Sequence, residues 1–313
     1  MNPNPHSCAS VRWSLIVALS VPLVSPLVQT AHAASATWSA TPSDANWITS
    51  GGTNNWSTGA NAFPGATTGT TNADVATFNS ASTQTGITIN SATLNFKSIL
   101  FDTSAAAFTI GSTGGNPLLL TSGGSITMNA TVANTETVNA PISIQGANGS
   151  YTIQNNATDN SELLNIGGAI TGGAAGQTVL TLGGSNTGNN TVSGNITPGT
   201  ATYLNLNKSG TGTWVLSGTD VFSNSQNFQS ALAVSAGTLN VQGDLTLTLG
   251  SATVSNGATL QVSGANGFVH GTSAITVGGG GTLVVDDRGA GAARTSRVTN
   301  AITLGNGSLL SYL

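Results

Sequence analysis

Charge is scarce in this sequence, with 6 Lys and Arg and 10 Asp and Glu among 313 residues. A disordered chain of this polarity would carry far more charge, so the sequence reads as packed. The basic residues are scattered from Arg12 to Arg297. They are too few and too dispersed to follow a phosphate backbone, which excludes nucleic acid as a partner. Cysteine is limited to Cys8, and His270 is the only histidine beyond residue 33. Disulfide staples are therefore excluded, and a Cys- or His-based metal site nearly so. Helix formers such as Lys, Glu, Arg and Gln are few, and 41 glycines would weaken any long helix.

What is present is short-range alternation. Ile87 and Ile89, Leu94 and Phe96, Ile99 and Phe101, and Phe108 and Ile110 alternate with polar residues, and similar short pieces continue to Ile166. Period 2 turns one face of each strand inward and the other outward. Gly and Asn clusters, such as Gly114-Gly115-Asn116 and Gly146-Ala147-Asn148-Gly149, supply the positive φ values of tight corners.

One phrase then returns. Val-Ser-Ala-Gly-Thr-Leu-Asn-Val at 234–241 recurs as Val-Ser-Asn-Gly-Ala-Thr-Leu-Gln-Val at 254–262, Val-Gly-Gly-Gly-Gly-Thr-Leu-Val-Val at 277–285 and Leu-Gly-Asn-Gly-Ser-Leu-Leu-Ser-Tyr at 304–312. The equivalent leucines read as Leu239, Leu260, Leu283 and Leu309, separated by 21, 23 and 26 residues. Self-similarity at this period, with short strands around Gly turns, predicts an all-β solenoid. At roughly 20–25 residues per rung and about 4.8 Å between strands, 280 residues give on the order of 10–12 rungs.

The N-terminus reads as a targeting segment. Arg12 precedes an apolar run from Leu15 to Val28, broken by Pro22 and Pro26, and Ala31-His32-Ala33 fits a small-x-small cleavage rule. The run is too short and too proline-broken for a membrane anchor. The expected organisation is a signal peptide at 1–33 cleaved after Ala33 or Ala34, a Trp-rich cap at 34–85 and a solenoid at 86–313. Cys8 precedes the apolar run, so it is misplaced for lipid attachment. In the leader, Trp38, Trp47 and Trp56 suit the closure of an open first rung. The alternative use of those rings is a carbohydrate-binding platform.

Candidate chemistry is thin. Asp286-Asp287, with Arg288, Arg294 and Arg297 after it, is the only adjacent acid pair. Such a pair could serve sugar hydrolysis or cation binding. Adjacent strand residues face opposite ways, however, and a polar corner is expected there anyway. Gly278 to Gly281 lack the aspartates of a calcium-binding repeat. No Gly-x-Ser-x-Gly joins a strand to a helix, and a serine nucleophile would depend on His270, which reads as an exposed loop imidazole. No catalytic, cofactor or metal residue is assigned.

The sharpest local motif spans residues 204–243. Lys208, Gly210, Gly212, Thr213, Trp214, Leu216, Ser217 and Gly218 form its first half, and Val234, Gly237, Thr238, Leu239 and Val241 its second. This closely resembles the autotransporter-associated β-strand repeat of exported bacterial passenger regions. Family members carry a turn where this chain has Asp220 to Ser225. The resemblance implies a right-handed parallel β-helix, a hand that the crossover rule also favours. Lys208 belongs to the motif and is expected to cap or decorate a corner.

It also implies a non-enzymatic exported surface protein, a stalk with an adhesin-like or structural role at the cell surface or outside the cell. Surface glycans or other cells are the expected partners. The competing expectation is a carbohydrate-active β-helix enzyme or a carbohydrate-binding module. The last copy stops inside a strand pattern at Leu313 with no outer-membrane barrel segments after it. The chain thus reads as a fragment of a longer protein or as one anchored by other means. Its end, rich in Ile302, Leu304, Leu309, Leu310 and Tyr312, is expected to self-associate.

Overall fold

The computed structural model describes residues 1, 34–222, 230–248, 250–289 and 296–313. Arg12, the apolar run, the cleavage pattern at Ala31-His32-Ala33, and Arg294 lie outside the described residues. Every regular element among the described residues is a β-strand. The strands stack in parallel as a β-solenoid of about 9 turns, as the repeats predict.

Three sheets form its sides. The first runs from Ala36–Thr37 through Val75–Phe78, Asn95–Phe101 and Leu118–Met128 to Ile302–Leu304. The second holds ten strands, from Gly86–Ile87 to Leu309–Tyr312. The third is short, made of Thr219–Phe222, Asp244–Leu247 and Phe268–His270. Beyond the first turn, register partners lie between 20 residues apart (Ala233 and Thr253) and 29 apart (Thr152 and Thr181). The turns are longer than the leucine spacing suggests, so there are fewer of them than the expected 10–12.

Alternation dictates the interior. In Tyr203–Lys208, residues Leu204, Leu206 and Lys208 face inward and the intervening residues are half-buried. Stacking then makes columns. Ile99, Ile126, Ile153, Leu182, Lys208, Val234, Val254 and Val277 follow one another turn by turn. In the second sheet Trp214, Leu239, Leu260 and Leu283 do the same. All of these are buried, and each aliphatic side chain so enclosed contributes about 1.5–3 kcal/mol.

The last copy differs from the expected register. Leu310, not Leu309, stacks on Leu283, while Leu309 pairs with Thr282. Two consecutive leucines make the sequence alignment ambiguous by one residue, and a one-residue slip exchanges the two faces of a strand. The Thr position of the earlier copies is occupied by Leu309.

The first turn is closed by its tryptophans. Trp38, Trp47 and Trp56 are at most 1% exposed and pack around Phe78, with ring centroids 6.1, 6.1 and 5.7 Å from it. Each indole N–H is satisfied: Trp38 donates to the Gln84 carbonyl, Trp47 to that of Pro64, and Trp56 to that of Trp47. Rings with no exposed face cannot stack on a sugar. The carbohydrate-platform expectation is therefore corrected, and the cluster is a core layer.

Candidate functional site

The repeat motif at 208–241 is a corner built around one lysine. Lys208 occupies a position in phase with Leu204 and Leu206, so its stem lies in the core, and the residue is fully buried. Its Nζ turns to the corner and donates to three carbonyls: Ser209 at 2.7 Å, Gly210 at 2.8 Å and Ala236 at 3.0 Å. An ammonium has three donors, and all three are used. Burial draws its pKa down to about 8, so the group remains charged at neutral pH.

The motif glycines are required by the same packing. Gly237 has φ 62°, and a Cβ there would lie 2.3 Å from the Gly212 carbonyl oxygen. A Cβ at Gly210, with φ 67°, would lie 2.3 Å from that of Gly184. Corners of successive turns sit directly on one another, leaving no room for a side chain. The expected cap role of Lys208 is thus seen in detail. Of the segment Asp220 to Ser225, Asp220 to Phe222 lie in the strand Thr219–Phe222 of the third sheet, and Ser223, Asn224 and Ser225 lie outside the described residues.

Two buried carboxyls went unremarked in the sequence. Glu136 begins the strand Glu136–Val138, and Asp220 lies in Thr219–Phe222; both face inward. One oxygen of each accepts a backbone N–H from the preceding turn, that of Phe108 at 2.9 Å and that of Ile196 at 2.8 Å. The second oxygen of each is enclosed without a partner. Burial pushes Glu136 up to about 9, with the charge of Glu162 adding to it. Burial likewise raises Asp220 to about 7, with Asp244 adding to it. The signal for both was available: each acid occupies the inward phase, two residues before Val138 and Phe222 respectively.

The expectation of an exposed loop imidazole is corrected: His270 is half-buried and ends the strand Phe268–His270, because the third sheet adds a side to these turns. Its Nε2 lies 2.8 Å from Asp244 Oδ1 and 3.0 Å from Thr246 Oγ1. Both contacts fall on one ring nitrogen. A proton relay needs the carboxylate on one nitrogen and the hydroxyl on the other, and this arrangement does not supply it.

The Asp286-Asp287 pair is split between two arginines. Asp286 binds Arg288 through both oxygens, at 3.0 and 2.8 Å. Asp287 accepts from buried Arg297 Nε at 2.7 Å and from the Tyr312 hydroxyl at 3.2 Å. The Arg288 hydrogen bond holds Asp286 down at about 2, and the Arg297 hydrogen bond lowers Asp287. Neither retains a proton at neutral pH, whereas glycoside hydrolysis needs one carboxylic acid as donor.

Among the described residues, no group of three or more His, Cys, Asp or Glu could hold a metal ion. Open grooves lie among the described residues. One, of about 510 Å³, is lined by Thr70, Thr71, Ser122, Ser143 and Gln145 with small residues. Another, of about 570 Å³, lies between Gly86 and Asn116. Neither is lined by a charged side chain. A scan against protein-family models, a search of curated proteins and a search of solved structures each found no match for the chain.

Proposed function

We propose that the chain is a non-enzymatic, exported surface protein in which the solenoid serves as a stalk. The observation that carries this reading is the turn-by-turn stacking of an inward column from Ala76, beside the tryptophan layer, to Val277. Such a stack is stiff along its axis and depends only on contacts between neighbouring turns. The resemblance at Lys208 to Val241 to passenger-region repeats supports export, as does the cleavage pattern ending at Ala33. The charged groups are used within the fold: Lys208 holds a corner, and Asp286 and Asp287 are neutralised by Arg288 and Arg297.

The test is made in the native host. Protease applied to intact cells should release peptides of this chain, and its N-terminus should map within a residue or two of Ala34. Retention inside the cell, or a mature chain that still begins at Met1, would overturn the export reading. Hydrolysis or eliminative cleavage in a polysaccharide screen would overturn the non-enzymatic one.

A second reading is favoured by the groove at Thr70, Ser122, Ser143 and Gln145. It crosses successive turns and presents hydroxyls and an amide without charge, which suits a neutral, hydroxyl-rich ligand such as a glycan. Glycan-array binding that is lost in Ser143→Trp would support this adhesin-like use; an array with no hits would remove it.

A further inference from the structure

We propose that the third sheet is a pH-sensitive flap: ionisation of its inward-facing Asp220 carboxyl opens this sheet locally, while the first two sheets hold the solenoid together. The flap is the smallest unit of the fold. Its strands Thr219–Phe222, Asp244–Leu247 and Phe268–His270 have 4, 4 and 3 residues, whereas the other two sheets have 14 and 10 strands. Among the described residues, Thr219–Phe222 is an edge that pairs with no strand of the preceding turn. Side chains make that join instead. Asp220 Oδ1 accepts the Ile196 N–H at 2.8 Å, and Asn195 Oδ1 accepts the Thr219 N–H at 2.9 Å.

Nothing packed against Asp220 balances a charge on it. The carboxyl stacks on Leu245 of the next turn, and its Oδ2 is enclosed without a partner. The strands around Thr219–Phe222 are Ile196–Thr197, Tyr203–Lys208, Ser230–Val234 and Asp244–Leu247. The first and third carry no titratable side chain. On the second, the Lys208 ammonium is taken up by three corner carbonyls, and the Tyr203 hydroxyl reaches Gln177 at 3.2 Å. On the fourth, Asp244 adds a like charge and turns to His270 Nε2 at 2.8 Å. An ionised Asp220 is thus an uncompensated buried charge, and water reaches it only when the sheet lifts. Lifting also uncovers Leu245, Leu247 and Val269, which are buried in the closed sheet. The closed sheet keeps a proton that the open one gives up. Opening is therefore rarest below the ordinary value of 3.8, increases as pH climbs, and levels off above about 7.

Amide hydrogen exchange of the purified chain, read residue by residue and corrected for the chemical exchange rate at each pH, tests this. Between about pH 5 and about pH 7, opening at Asp244–Leu247 should increase by about tenfold or more. Opening at Thr238–Val241, in the second sheet, should not change. Asp220→Asn keeps an oxygen for the Ile196 N–H and removes the titration, so its third-sheet opening should be independent of pH. If that variant loses its β-sheet circular dichroism, Asp244→Asn serves instead. Without the like charge, the increase should level off at a lower pH. Third-sheet opening that ignores pH, that rises equally at Thr238–Val241, that still rises in Asp220→Asn, or that levels off at an unchanged pH in Asp244→Asn would each overturn the proposal.

Discussion

The Nζ of Lys208 donates at 3.0 Å to the carbonyl oxygen of Ala236, which lies one turn further along the solenoid. Lys208 itself stacks between Leu182 and Val234. One side chain thus joins an aliphatic column to the corners of two turns. Replacing it with methionine would keep the apolar stem and remove the donor from three corner carbonyls. Lys208→Met is expected to lower stability by about 1–3 kcal/mol, because the hydrogen bonds lost come from a charged donor. Urea unfolding measures it, and an unchanged or higher midpoint would show the corner is satisfied in another way.

Gly237 carries the backbone side of the same corner. Gly237→Ala combines a left-handed φ with a Cβ placed 2.3 Å from the Gly212 carbonyl oxygen. The expected cost is about 2 kcal/mol or more. Gly257 also has positive φ but nothing within 4 Å of its Cβ position, so Gly257→Ala should cost less. Equal losses in thermal melts would show that the close stacking of corners is not what demands glycine.

The register of the last copy can be read by truncation. Leu260 is fully buried in its column, and Leu260→Ala should cost about 2–5 kcal/mol. Leu309 is 55% exposed, and Leu309→Ala should stay within about 0.5 kcal/mol. A large loss at Leu309 would restore it to the column that Leu310 holds.

The contributions of Glu136 and Asp220 to stability should fall as pH rises above their ordinary values. Glu136 has an ordinary value of 4.5 and is raised to about 9 in the fold; Asp220 goes from 3.8 to about 7. In each case the folded chain keeps a proton that the unfolded chain gives up. The associated stability is fully present below the ordinary value and is lost as pH climbs through the raised one. Asp220→Asn should flatten the profile between pH 3.8 and about 7, and Glu136→Gln should flatten it between 4.5 and about 9. Above about 8 the burial-lowered Lys208 adds a slope of opposite sign, so each variant is compared with the parent chain at the same pH. Profiles that coincide would mean that neither carboxyl is held protonated.

Much of this fold was legible because alternation and repetition are strong where side chains are short. The column Leu239, Leu260 and Leu283 follows from the returning Gly-Thr-Leu phrase. The third sheet was hidden, because Thr219–Phe222 replaces an expected turn and Asp244–Leu247 lies outside the phrase. His270 was placed in a loop for that reason. Lys208, Glu136 and Asp220 were readable in principle: each is a charged residue in the inward phase of a strand. What the pattern could not supply was the partner, since the Ala236 carbonyl and the Phe108 and Ile196 amides are backbone groups from neighbouring turns. The Asp286-Asp287 pair shows the converse, where adjacency in sequence sent the two side chains to Arg288 and Arg297.

The central claim is the parallel register of successive turns, and engineered cysteine pairs measure it directly. Cys8 is the only natural cysteine, so Cys8→Ser clears the background. Thr253 and Thr276 are exposed register partners on adjacent turns, and neighbouring strands about 4.8 Å apart fall within the Cα range that a disulfide spans. Thr303 lies one turn beyond Thr276, about twice that distance from Thr253 and out of reach. Under mild oxidation, Thr253→Cys with Thr276→Cys should close an intramolecular disulfide, and Thr253→Cys with Thr303→Cys should remain reduced. Closure of the second pair with failure of the first would contradict the solenoid register described here.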